Sequence, residues 1–398
     1  MPTAVARRPR PARSPANLAD AIEVARELNP EEPLFCFSRN QLLERLKLFQ
    51  EGFPGTVSFA VKSNPSKQVL ETLAAGGLAH WDVASVQEMT AVRAVAGKAR
   101  FHYHNPVKSR REIAEAYKTY GCRRFAVDCR EELAKIGDIA GGDRTVEIAV
   151  RLVLPRERTA SAHDFSTKFG APEHICVELL KDAASRGFRA MLTFHPGSQS
   201  REPHTYVRYI EAAARIAQAA GVKIEKLNVG GGFPANYQIS KAAPLPTFFA
   251  TIASAVTAAF GEGNEPKLEC EPGRGLVADC MSLLTGIKLV CTDGDDIFIN
   301  DGVYGGLMEY MQVHELQPPF RVIRDGALLE GPTKSWKVFG PTCDPLDVLP
   351  HRLDLPADLR EGDHIEFGTL GAYGLATVTR FNGYGGHEIV AVDRALTA

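Results

Sequence analysis

The chain has 398 residues, with 46 Lys and Arg against 48 Asp and Glu, a formal net charge of −2. Charge this evenly balanced offers no bulk attraction to nucleic acid or an anionic membrane, and the length exceeds usual single-domain size, so two domains are expected. No stretch reaches the roughly 20 apolar residues that span a bilayer. The eight cysteines form neither a CxxC pair nor zinc spacing, which points to free thiols in a reducing, cytoplasmic setting.

Residues 1–33 are expected to be a tail and lead-in, partly disordered. The first 17 are rich in Arg, Pro and Ala and lack the apolar core of a secretory signal. From about Asn40 to about Glu271, short apolar runs alternate with longer amphipathic ones. The strand candidates are 56–61, 79–83, 100–103, 124–128, 147–152, 190–194, 226–229 and 267–270. Helix-like stretches between them include 68–75, 87–95, 110–117, 177–185 and 206–220. In the last, Tyr206, Tyr209, Ile210, Ala213 and Ile216 recur at helical spacing. Eight strands interleaved with helices predict an α/β fold, either a closed (β/α)8 TIM-like barrel or a doubly wound open sheet. After about Arg274 the runs 282–290, 296–300, 320–323, 364–367 and 388–392 are short, rich in Val, Ile and Phe, and separated by turn residues. They predict a C-terminal all-β domain, sandwich-like or barrel-like.

Chemistry in such barrels sits at the C-terminal ends of the strands. Lys62, Asp82, His195, the Gly230-Gly231-Gly232 run and Glu271 all fall at or just past such ends. Lys62 closes the run Ser58-Phe59-Ala60-Val61. A lysine there is costly unless its ammonium is exposed, paired or chemically used. Many such lysines merely reach out to solvent, but a desolvated amine can also attack an aldehyde.

Around Lys62 stand His195-Pro196-Gly197-Ser198, Gly230-Gly231-Gly232-Phe233-Pro234, Glu271-Pro272-Gly273-Arg274, Gly340-Pro341-Thr342-Cys343-Asp344 and Gly371-Ala372-Tyr373. In this order the set resembles the pyridoxal-phosphate decarboxylases of the ornithine/diaminopimelate type, which share the alanine-racemase-like fold. The likeness runs from about Phe35 to about Gly385. Gly-Gly-Gly-Phe-Pro and Gly-Pro-Thr-Cys-Asp resemble the ornithine branch, while His-Pro-Gly-Ser-Gln leans toward the diaminopimelate branch. The resemblance favours the barrel over the open sheet. It implies a pyridoxal-binding barrel over 39–275 and a β domain over 276–398 that takes in a strand at 34–38.

Pyridoxal phosphate needs an amine, a phosphate cradle, an acid at its pyridine nitrogen and a group against its ring. The resemblance implies Lys62 as the amine. Gly230, Gly231, Gly232, Ser198, Arg274 and Tyr373 would contact the phosphate, Glu271 the nitrogen and His195 the ring face. Asp82 and Arg151 would orient the others. Cys343 is implied as the acid that protonates Cα after CO2 leaves. Asp344, with Tyr304 near it, is implied at the substrate's distal amine. Cys343 and Asp344 would reach the neighbouring subunit's site, so a homodimer with shared active sites follows.

One departure bears on substrate. After Asn300-Asp301-Gly302-Val303-Tyr304-Gly305, ornithine decarboxylases carry Tyr-Asp before a histidine; here Gln312-Val313-His314 stands instead. Val313 replaces the carboxylate that grips the distal ammonium, and Glu309 and Glu315 are the nearby alternatives. The expected activity is decarboxylation of a basic L-amino acid, ornithine to putrescine first and lysine second. Diaminopimelate or carboxynorspermidine decarboxylation is the enzymatic alternative, and a non-catalytic decarboxylase-like regulator is the alternative of another class.

Overall fold

The structure, a computed structural model, describes residues 18–155, 161–163, 168–291 and 293–398. The expected tail at 1–17 lies outside them. Eight parallel strands close into a barrel: Gly55–Ala60, His80–Val83, Arg100–Tyr103, Arg124–Val127, Glu147–Leu152, Arg189–Phe194, Lys226–Asn228 and Lys267–Cys270. Each pairs with the next, and Lys267–Cys270 closes the ring on Gly55–Ala60 with Leu268 opposite Gly55. Closure therefore decides for the barrel against the open sheet.

The helices outside the barrel start and bury as their sequences dictate. Arg110–Lys118 opens on a capping box, in which the Ser109 hydroxyl accepts from the Glu112 N–H and Glu112 accepts from the Ser109 N–H. His204–Ala220 buries Tyr206, Tyr209, Ile210, Ala213 and Ile216. Within the lumen, side chains alternate along each strand. Ala126, Ala149 and Met191 lie side by side in register and form a small apolar layer of their own. Below it sit Arg124 and Glu147, and above it Arg151, two positions along the same strands in each direction. The lumen thus has two polar ends, with an apolar layer between them on this side and His102 linking Arg124 to His104 on the other.

The first strand, Leu34–Ser38, leaves the barrel alone. It pairs antiparallel with Met281–Cys291 and parallel with Glu388–Val392, inside a mixed, curled nine-stranded sheet. Three strands of that sheet, Ala327–Leu328, Thr333–Phe339 and Leu353–Pro356, are absent from the sequence expectation. Lysines and a proline break the patterns of the longer two, and these are held by ladder bonds and by Trp336, whose Nε1–H donates to the Pro356 carbonyl at 3.1 Å. The lead-in also holds a helix, Ala21–Leu28, capped by Asp20 and packed through Ala21, Val24 and Ala25 against Leu34, Leu284 and Ile323.

The β domain touches the barrel where the chemistry is expected. The Gly55–Ala60 strand ends one residue earlier than anticipated, and Val61–Ser63 forms a 3-10 turn that carries Lys62. The Ser63 carbonyl accepts from the Tyr373 N–H at 2.8 Å. The Asn64 amide donates to the Gly371 carbonyl at 2.7 Å. A Cβ on Gly371 would lie 1.8 Å from the Val277 carbonyl, so only glycine lets this crossing come so close.

Candidate active site

A cavity of about 250 Å³ opens at the C-terminal mouth of the barrel. It brings together Lys62, Asp82, Arg151, His195 and Glu271 from the barrel, with Ser198, Gly231, Gly232 and Arg274 from the loops. Tyr373 closes one wall from the β domain. Gly230 is not among the lining residues; it packs against Phe194 and His195, with φ at 68° and an imagined Cβ only 2.0 Å from the Phe194 carbonyl. Gly232, at φ 90°, would collide likewise with the Gly197 carbonyl. The run is glycine because the backbone must turn against its neighbours here.

One end of the cavity is built around a buried guanidinium. Arg274 Nη1 donates to the Tyr237 hydroxyl at 2.6 Å, and Nε and Nη2 each lie 3.3 Å from the Ser198 hydroxyl. Its guanidinium lies 5.2 Å from the Tyr373 ring centroid, and Tyr373 itself holds a left-handed backbone at φ 58°. Glu309 completes the shell as an ion pair with Arg274.

The other end is acidic. Burial drives the Asp82 carboxyl well above its ordinary value, and the neighbouring Glu271 carboxylate adds to the rise. Burial acts on Glu271 in the same sense, yet its His104 ion pair, the Asn228 hydrogen bond at 2.5 Å and the Lys62 charge hold it lower than usual. The two acids are thereby pushed apart, Asp82 toward its neutral form and Glu271 toward its ionised one.

Lys62 and His195 lie between the two ends. The Lys62 side chain opens into the cavity. Burial and the positive charges of Lys62 and Arg151 hold the His195 ring well below its ordinary value, so it is neutral. Its Nδ1 accepts from the Gly197 N–H at 3.2 Å, which leaves the other nitrogen to carry the proton. Burial also lowers Arg151, against the pull of Glu271 and Asp82.

Three expected residues do not reach this cavity within one chain. Cys343 is exposed, and its backbone N–H donates to the Asn382 side chain at 3.2 Å. The Tyr304 hydroxyl donates to Asp344 at 2.6 Å beside it. Val313 is buried at the end of the short helix Met308–Gln312. Of its neighbouring carboxylates, Glu309 is engaged by Arg274 and Glu315 by Arg201.

Three residues of the site escaped the sequence reading, His104, Asn228 and Tyr237, and Glu309 was expected near the substrate and not on Arg274. His104 immediately follows the strand Arg100–Tyr103, so the strand-end rule that picks out Asp82 would also have found it. Tyr237 lies in a loop with no local signature, and only the fold carries it to Arg274.

The profile of the pyridoxal-dependent decarboxylases, pyridoxal binding domain, matches residues 39–278. The chain belongs to this family. It is 30% identical to the lysine/ornithine decarboxylase of Selenomonas ruminantium, over 88% of this chain and 87% of that one. It is 29% identical to antizyme inhibitor 2 of Xenopus laevis, over 92% and 82%. A lysine/ornithine decarboxylase from Vibrio vulnificus, solved with putrescine, superposes with a TM-score of 0.80 at 27% identity, covering 94% of this chain and 97% of that one.

The donor chemistry of this decarboxylase's cavity fits pyridoxal phosphate. A buried cation, a hydroxyl and glycine backbone at one end suit a phosphate. An ionised carboxylate at the other end suits a pyridinium. An open lysine between them suits the aldehyde.

Proposed function

We propose that the protein decarboxylates a basic L-amino acid, ornithine first and lysine second, as a cytoplasmic homodimer with shared active sites in polyamine biosynthesis. One observation carries this reading: Lys62 opens into a cavity that ends on Arg274 and Ser198 on one side and on an ionised Glu271 on the other. Lys62 would hold the cofactor covalently. Gly230, Gly231, Gly232, Ser198, Arg274 and Tyr373 would hold its phosphate, Glu271 its ring nitrogen and His195 its face. Asp82 and Arg151 keep these groups in place.

When bound, pyridoxal phosphate supplies the electron sink for the breaking bond between Cα and the carboxylate. Glu271, as an anion, would favour a proton on the ring nitrogen. The neutral His195 ring offers a flat apolar face without competing for that proton. Cys343 of the second subunit would be the general acid for Cα, consistent with its exposure on the isolated chain.

The substrate assignment rests on the relatives named for lysine and ornithine and on the carboxylates near the mouth. A phosphate held by Arg274 would compete with Glu309, a carboxylate one helical turn before Val313. Glu309 and the second subunit's copy of Asp344 would then grip the distal ammonium. The buried Val313 favours a second reading, in which a longer or carboxylated substrate such as diaminopimelate or carboxynorspermidine is preferred.

The test is CO2 release from ornithine, lysine, arginine, diaminopimelate and carboxynorspermidine. Ornithine is expected to give the highest kcat/KM, with lysine next. A lead for either carboxylated substrate moves the assignment to the second reading. Cofactor-loaded protein that releases nothing from any of them is a regulator.

A further inference from the structure

We propose that His104 is a positioning residue that, together with Asn228, occupies one oxygen of Glu271 and so leaves the other as the acceptor for a pyridine nitrogen. This inference rests on the cofactor assignment above. His104 and Glu271 are each only 7% exposed. His104 Nδ1 contacts Glu271 Oε1, and Asn228 Nδ2 donates to the same oxygen at 2.5 Å. Both nitrogens thus converge on Oε1, the Asn228 amide as a donor, and Oε2 lies outside these two contacts. Glu271 itself lines the cavity, so its uncommitted oxygen is the one available to a ligand there.

The arrangement answers a specific electrostatic difficulty. Glu271 shares a buried end with a second carboxylate, Asp82, and burial favours the neutral form of both. The groups that face Glu271 are Lys62 from the 3-10 turn, Asp82, His104, Arg151 and Asn228 from four different strands or strand ends. Lys62 acts on Glu271 through its charge, while His104 and Asn228 are the groups in direct contact with its carboxylate.

His102, whose ring centroid is 5.6 Å from that of His104, adds no charge from below. Burial first, and then Arg124, hold His102 well below the usual histidine range. Ring nitrogens of His102 and His104 and a Glu271 oxygen lie within 4.8 Å of one another, a donor set also seen around metals. Arg124 opposes a metal here, because its guanidinium lies 3.0 and 3.1 Å from the two His102 nitrogens.

The test compares His104→Leu, which fills the space without a donor, with His104→Asn, which returns an N–H near the Nδ1 position. Each holoenzyme is titrated with pH while the visible absorbance of the Lys62-bound cofactor is followed, and kcat and KM are measured alongside. In the leucine variant the acid-side transition is expected to rise by about one pH unit, equivalent to tenfold in proton affinity. In that variant kcat should fall about tenfold, with KM changed less than about threefold, as expected when a remote group acts through the reacting one. The asparagine variant should recover most of both losses.

A leucine variant with the wild-type transition and kcat within about twofold overturns the proposal. If leucine prevents folding, asparagine decides: a folded asparagine variant displaced by about one unit or more overturns it as well. Wild-type protein that never develops the visible band overturns the cofactor assignment together with this inference. A normal wild-type band with an indifferent leucine variant removes His104 alone.

Discussion

The two ends of the barrel lumen contain the same kinds of charged residue and treat them in opposite ways. At the N-terminal end Arg124 is shared between Glu147 and Glu269, and Lys226 bridges the same two acids at 2.6 and 3.7 Å. Each of these four charges has an opposite partner, and Glu147 is held below its ordinary value because Arg124 and Lys226 outweigh burial. At the C-terminal end Asp82 is pushed up, His195 is pushed down, and Lys62 opens into the cavity. A closed network stiffens a barrel, whereas an unbalanced one waits for a ligand to complete it. The comparison therefore assigns stability to one end and chemistry to the other.

The largest effect tests the chemical end. Lys62→Ala should lose the visible cofactor band and reduce turnover by about 10³-fold or more, since the amine expected to bond the cofactor is gone. Cys343→Ala should keep the band and lose amine output. Equal mixtures of the two variants should recover about one quarter of wild-type activity, because half the dimers are mixed and each mixed dimer has one complete site. Mixtures with no recovery would refute the shared interface.

The next effect tests the structural end. Arg124→Leu leaves Glu147 and Glu269 buried with Lys226 as their remaining cation, and loss of one partner from such a network costs about 3–5 kcal/mol. Urea denaturation should show that loss, while kcat of the surviving folded enzyme at neutral pH stays near wild type. A large fall in kcat with little loss of stability would reverse the division between the two ends.

Much of this division was legible in the sequence, because strands and glycine turns leave local patterns. Eight barrel strands fall where the apolar runs predicted them, and Lys62, Asp82, His195 and Glu271 meet at one mouth. What escaped is what depends on convergence across the barrel. His80, His102, Arg124 and Glu269 are each one polar residue within or beside an apolar run, and only closure places them against one another. Glu309 shows the same limit: its sequence neighbourhood suggested the substrate, while the fold hands it to Arg274.

The smallest effect belongs to His80, at the structural end, and it sharpens the comparison through pH. Its Nδ1 lies 3.0 Å from His102 Nε2. Burial, reinforced by Arg124, Arg100 and Lys226, lowers it to about 4 from an ordinary 6.5. The unfolded chain therefore takes up this proton before the folded one does as pH falls. The stabilisation is complete above about pH 6.5 and is lost progressively between that value and about pH 4. His102, also held low, contributes with the same sign. His80→Gln keeps a polar partner for His102 but does not titrate, so its melting temperature should fall less than wild type between pH 7.5 and 5. The expected difference is about one to two degrees, after allowance for the solvent screening of a partly exposed group. Turnover at pH 7.5 should not change, because His80 is separated from the cavity by His102 and His104. An unaltered acid-side fall in melting temperature would mean that the proton uptake lies elsewhere, with the buried carboxylates of the chemical end as the first place to look.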